Sequence, residues 1–198
     1  NGQITTSDNN GSTPFTKDLN DYQPNSASGH TLAIYKRVIE SGDPSTYNFT
    51  LSTGGRWAID AIAIYGYHED IYDIAPSTTN ADEVDDGGVG GGTIDAPTIT
   101  TLVNNAIHFV VAVWDTSSTG TITNPAGYTN RGSIASNQPL AVSSKVIATA
   151  GATGAQTISN SEFGSRIAIS FSIKPQTHLT IRKDINLLNI TRTTTSTS

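Results

Sequence analysis

The chain has no cysteine and no methionine among its 198 residues, and only 14% of them are charged. Without cysteine there is no disulfide framework, no thiolate nucleophile and no cysteine-ligated metal. No apolar run is long enough to span a bilayer, and no signal-peptide pattern is present, so no membrane association is expected. Methionine is missing even at position 1, which points to a chain whose start lies upstream of Asn1. Positive charge is missing from the middle. No lysine or arginine stands between Arg56 and Arg131, while Glu69, Asp70, Asp73, Asp82, Glu83, Asp85, Asp86 and Asp95 crowd that interval. A polyanion is repelled by such a region, so nucleic acid is not an expected partner.

What is present is β text. Threonine, serine, asparagine and glycine fill much of the remainder, the usage of a turn-rich protein with hydroxyl-bearing strand faces. No stretch carries a capped 3.6-residue period, whereas short alternating runs recur at regular spacing. The expected fold is an all-β, antiparallel, jelly-roll-like β-sandwich.

Residues 30–66 return, altered, at 139–175. Leu32, Ala33 and Ile34 correspond to Leu140, Ala141 and Val142, and Arg37, Val38 and Ile39 to Lys145, Val146 and Ile147. Arg56 falls on Arg166, each followed by an alternating run: Trp57, Ile59, Ala61, Ala63 and Ile167, Ile169, Phe171, Ile173. Upstream, Phe15 and Thr16 match Tyr128 and Thr129, and Ile4–Asp8 falls near Val111–Asp115. Such a repeat implies two similar halves, about 1–66 and 97–175. The second half extends backwards through Ala106–Trp114 and Pro97–Val103, so the first half is short by about one and a half strands.

In chain order the expected strands are Leu32–Ile39, Tyr47–Leu51, Arg56–Tyr65, Thr98–Val103, Ala106–Trp114, Ala141–Thr149, Gln156–Ser159 and Arg166–Ile173, with a short one near Tyr128–Gly132. Arg56–Tyr65 is apolar on both faces apart from Asp60, as in a strand covered on both sides. The interval 67–96, with its DDGGVGGG run, reads as an acidic, glycine-rich surface loop joining the halves, with a strand-like piece at Ile71–Ile74. Pro175 closes the domain. Beyond it, 176–198 is a β-competent arm, in which Leu179, Ile181, Ile185, Leu187 and Leu188 are the expected subunit contacts, followed by a polar tail.

Chemistry is sparse. His30, His68, His108 and His178 are scattered, and His108 belongs to a core strand, where a packed, hydrogen-bonded role is expected. There is no nucleophile elbow, and the GGVGGG run lacks the Lys-Ser/Thr end of a phosphate loop. The paired carboxylates sit in glycine-rich text rather than on rigid elements, which disfavours a glycosidase. Asp82, Glu83, Asp85 and Asp86 offer hard oxygen ligands for Ca²⁺, though off the EF-hand spacing. Tyr65, Tyr67 and Tyr72, beside the acidic stretch, are the candidates for contact with a sugar, while Trp57 and Trp114 are expected in the core.

The segments YKRVIESGDPSTYNFT, GGRWAIDAIAIYG, IHFVVAVWD, PAGYTNRG, SSKVIATAGATGAQTIS and SRIAISFSIKP, in that order, resemble a β-sandwich module of tailed-bacteriophage virion proteins and related bacterial surface proteins. The resemblance covers about residues 14–175. It implies a structural, non-enzymatic part of the virion exterior: a decoration or cement protein on the head, or a tail or fibre component. Its partners would then be further copies of itself and a viral shell or tail protein. The rival expectation is an adhesin or receptor-binding module that contacts a host glycan, with or without Ca²⁺; a secreted hydrolase lacks a credible catalytic group.

Overall fold

Two long apolar runs organise the molecule. In the computed structural model, which describes residues 4–8, 15–22, 31–38, 47–51, 58–65, 67–84, 92–116 and 118–175, they lie side by side at the centre of a sheet. The strands in order are β1 (Ile4–Asp8), β2 (Thr16–Tyr22), β3 (Leu32–Lys36), β4 (Tyr47–Leu51), β5 (Tyr67–Ile74), β6 (Ala81–Val84), β7 (Thr93–Ala96), β8 (Ala106–Thr116), β9 (Ile122–Thr123), β10 (Thr129–Ile134), β11 (Leu140–Ile147), β12 (Gln156–Asn160) and β13 (Gly164–Pro175). β8 and β13 are β-branched, apolar and almost wholly buried, which is what a strand covered on both faces requires. They pair antiparallel without a register break from Gly164↔Thr116 to Ile173↔Ile107. β11 takes the other side of β8, and β10 takes the other side of β11.

Alternation then sends side chains to two cores. On one face Phe109, Val111, Leu140, Val142, Ile167, Ile169, Phe171 and Ile173 form a cluster that also takes in Leu19 of β2 and Leu32 of β3. Phe109 and Phe171 are directly opposite in the register, and their rings stack at 5.2 Å. On the other face Ala141, Ala112 and Ala168 stand in one row across β11, β8 and β13. Three methyl groups leave room for Ile94 of β7 and Ile158 of β12 to press in beside Trp114. A small sheet, β7-β12-β9, covers this face; the β2–β3 hairpin covers the first. The result is the all-β antiparallel sandwich that the strand spacing predicts.

The repeat is realised in detail over one hairpin. Thr16 pairs with Lys36 as its counterpart Thr129 pairs with Ser144, and Lys17↔Tyr35 repeats as Asn130↔Ser143. Both hairpins then carry a bulge at the same place, resuming at Leu19↔Ile34 and at Gly132↔Val142. The extra residues are Asp18 and Arg131, and each reaches the same position on the partner strand. Asp18 Oδ1 lies 3.2 Å from Lys36 Nζ, and Arg131 Nε donates to Ser144 Oγ at 2.8 Å. A cation sits over the preceding aromatic ring in both: Arg37 over Phe15 at 5.9 Å, Lys145 over Tyr128 at 5.6 Å.

The halves part company outside that hairpin. Residues 58–65, expected as a strand buried on both faces, run outside every strand ladder of the described residues. Their counterpart in β13 has β8 to pair with. Lacking such a neighbour, 58–65 packs on one side only: Ala58, Ile62 and Ile64 touch the first core, while Ile59 is partly exposed. The interval 67–96 is also more than a loop. β5 and β6 pair with successive stretches of β13, and β7 pairs with β12. By contrast Thr98–Val103, expected as a strand, makes a single bridge, Thr100↔Ala152. The arm 176–198 lies outside the described residues.

Candidate functional site

Polar side chains enter the second core at the end of β8 farthest from Trp114. The register lines up Lys145, His108 and Ser172 across β11, β8 and β13. His108 is completely buried, with Nδ1 2.6 Å from the Tyr128 hydroxyl and the two rings edge to face at 5.6 Å. Burial, and then the positive charge of Lys145, push the imidazole down to about 4, so it is neutral at physiological pH. Burial also pushes the Tyr128 phenol up to about 12. Beside this row Ser172 Oγ donates to Asp73 Oδ2 at 3.0 Å. The same carboxylate accepts the Leu102 amide on both oxygens, at 3.1 and 3.0 Å. Asp73 thereby clamps the segment that follows β7 to β5 and β13.

At the other end, Arg166 is buried and donates from Nε to the Thr93 carbonyl at 2.8 Å and from Nη1 to the Gly164 carbonyl at 2.9 Å. Trp114 Nε1 donates to the Gly92 carbonyl at 3.2 Å. Both side chains tie the small sheet to the large one.

A hydroxyl, an imidazole and a carboxylate therefore lie close together, but wired for support. Ser172 gives its proton to Asp73, and Nδ1 of His108 is engaged by Tyr128. A general base must reach the proton that it removes, and this ring is sealed from solvent. His108 is the packed, hydrogen-bonded core residue expected of its strand.

The three tyrosines do not form one platform. Tyr65 is 90% exposed. Tyr72, expected as an exposed contact, is instead half-buried in the first core. Its hydroxyl donates to Asp18 Oδ2 at 2.5 Å, Lys36 Nζ lies 4.6 Å from its ring centre, and its edge meets Phe171 at 6.3 Å. Burial first, then the hydrogen bond to Asp18 and its charge, raise this phenol far above the usual tyrosine range. The reason lies in register: Tyr72 stands opposite Ile173, on the face of β13 that carries the first core. The Tyr67 backbone pairs with Pro175, and its side chain lies outside the described residues.

The proposed Ca²⁺ ligands fare similarly. Asp82 and Glu83 are adjacent on β6, opposite Ala168 and Ile167, and so point to opposite faces. Two such carboxylates do not close on one ion. Asp82 Oδ1 accepts the Glu83 amide at 2.8 Å; Asp85 and Asp86 lie outside the described residues. Among the described residues no three acidic or histidine side chains converge on a metal position. The arm residues Leu179, Ile181, Ile185, Leu187 and Leu188 also fall outside them.

Among the described residues β10 pairs only with β11, and β3 only with β2. β10 blunts its edge with a bulge and with the exposed Thr129, Asn130 and Arg131. Asp18 and Asp73, which fasten the two faces of the sandwich, were not anticipated from the sequence. An acid inside a strand of otherwise alternating residues is their only trace there. No protein-family model, curated protein or solved structure matches the chain.

Proposed function

We propose that this chain is a non-enzymatic structural protein on the exterior of a phage particle, a decoration or cement protein of the head or a tail-associated component. It would act through contacts with neighbouring copies and with a shell or tail protein. The observation that carries this reading is the division of labour in the sandwich. Buried Asp73 and Arg166 join the layers, and among the described residues β3 and β10 each have one side without a strand partner, which this reading takes as docking sites for other chains. Strand addition at such an edge gives affinity through main-chain hydrogen bonds. Leu179, Ile181, Ile185, Leu187 and Leu188 alternate or cluster as a donor strand would. Sedimentation of the purified chain, alone and with phage shells stripped of accessory proteins, tests it: a defined oligomer or co-sedimentation is expected. A monomer that ignores shells and tail tubes would overturn it.

A second reading rests on Tyr65, which is 90% exposed, as a stacking surface for a sugar ring. A glycan array run with and without chelator, and with Tyr65→Ala, separates the two readings. Binding that is lost in the variant favours an adhesin.

A further inference from the structure

We propose that the second core binds a pair of internal water molecules, which link Ser143 Oγ, Ser170 Oγ and His108 Nε2. The register brings these groups onto one patch. Ser143 of β11 and Ser170 of β13 both stand opposite Val110, so the three form a row across the centre of the large sheet. His108 is two residues from Val110 along β8 and therefore on the same face. Val110 packs in the second core with Ile94 and Ile158, which sets the row beneath the small sheet.

All three groups are sealed from solvent and short of a partner. His108 and Ser170 are 0% exposed, and Ser143 is 1% exposed. Ser143 Oγ, Ser170 Oγ and His108 Nε2 have no hydrogen-bond partner among the described residues, although Nδ1 of the same ring is engaged by the Tyr128 hydroxyl. Buried polar groups in folded proteins are nearly always paired, because one left unpaired keeps the full cost of leaving water. Three such atoms on one patch of one face call for a ligand that they share, and internal water is what serves that purpose in protein cores.

The chemistry of the patch selects water over other small ligands. An anion would meet the Asp73 carboxylate, which Ser172 holds at the next position beside His108. A metal ion would find one nitrogen and two neutral hydroxyls, a weak ligand set. Burial holds the ring neutral, so Nε2 presents either an N–H or a bare lone pair; water both donates and accepts, and so answers either tautomer. Two molecules are needed because strands about 4.8 Å apart place the backbones of the two serines about 10 Å apart. One bridging water joins groups about 5.6 Å apart, whereas two in series reach about 8.4 Å.

The inference is independent of the role proposed for the whole chain. A high-resolution crystal structure of the full chain is expected to show ordered water within about 3.2 Å of each of the three atoms. A map in which any one of them is without water overturns the inference. Urea unfolding gives an independent reading through its sign. Where the hydroxyls bind water, Ser143→Ala and Ser170→Ala each remove a hydrogen bond and should raise the unfolding equilibrium constant about fivefold. A hydroxyl sealed in dry is better replaced by a methyl, so an unchanged or lowered constant for either variant overturns the inference. The two serines should also be coupled, since losing either one loosens the pair of waters. The double variant is then expected to raise the constant by less than the product of the single effects. Residues this far apart that share no partner act independently, so a full product overturns the link between them.

Discussion

His108 makes the stability of this sandwich depend on pH in a way that can be isolated. The ring is completely buried, faces Lys145 and Ser172 across its neighbouring strands, and is held neutral with a folded value of about 4 against an ordinary 6.5. As pH falls, the unfolded chain takes up the proton first. The contribution is therefore intact above the unfolded value and drains away as pH falls from 6.5 through the folded value of about 4. Linkage with those two values removes roughly 1 kcal/mol by pH 5.5 and roughly 2–3 kcal/mol by pH 4.5, relative to neutral pH. Carboxylates titrate over part of the same range, so the measurement is a comparison. Urea unfolding of the wild-type chain and of His108→Asn, whose amide stands in for Nδ1 towards Tyr128, gives two stability profiles. The wild-type advantage, whatever its size at neutral pH, should shrink by about those amounts. Parallel profiles from about pH 7.5 to pH 4.5 would show that the ring is not held neutral by its surroundings, and the account of the site would fail.

Three further substitutions probe the layers. Phe171→Ala removes one ring of the stacked Phe109–Phe171 pair at the centre of the first core and should cost about 3–5 kcal/mol in chemical denaturation. Gly92→Ala would place a Cβ 2.1 Å from the Asn160 carbonyl oxygen and 2.5 Å from that of Glu162. Both are backbone atoms, so the small sheet must shift, with an expected loss of about 1–3 kcal/mol and weakened protection of β7 in hydrogen exchange. Tyr72→Phe leaves Asp18 without its phenolic donor and should cost about 1–2 kcal/mol at neutral pH, with no effect on any glycan signal.

The strands legible in the sequence are those whose alternation or apolar length speaks for itself. Ala106–Trp114, Ala141–Thr149 and Arg166–Ile173 lie within two residues of β8, β11 and β13 at each end. Among the strands not expected, β2, β6 and β7 share one property: each is rich in polar or acidic residues, so TKDLNDY, ADEV and TIDA read as loop. Their place is set by partners far off in sequence, with β6 opposite Arg166–Ile169 and β2 opposite β3. Tyr72 was misplaced for the same reason. Its neighbourhood, YHEDIYDI, suggests an exposed acidic rim, whereas one face of β5 is turned into the core by pairing with β13. Local composition carries the hydrophobic half of the code well, and long-range pairing carries the rest.

The two hairpins show how these levels separate. Their register, bulge and stacked cation agree although most of their residues differ, because those features are satisfied within the hairpin itself. Their surroundings differ because the second hairpin has β8 beside it, whereas among the described residues no strand pairs with the far edge of β3. β10–β11 is thus incorporated edge-on into the main sheet, while β2–β3 lies flat on its face, held there by Leu19, Leu32 and the Tyr72–Asp18–Lys36 contacts. The bulge residue follows suit. Arg131, exposed at a sheet edge, bonds its neighbour strand, whereas Asp18, over the sheet, is recruited to fasten one layer to another. Two hairpins of like register thus serve as two different parts, an edge and a cover, and among the described residues the difference between them is the presence of β8 beside the second.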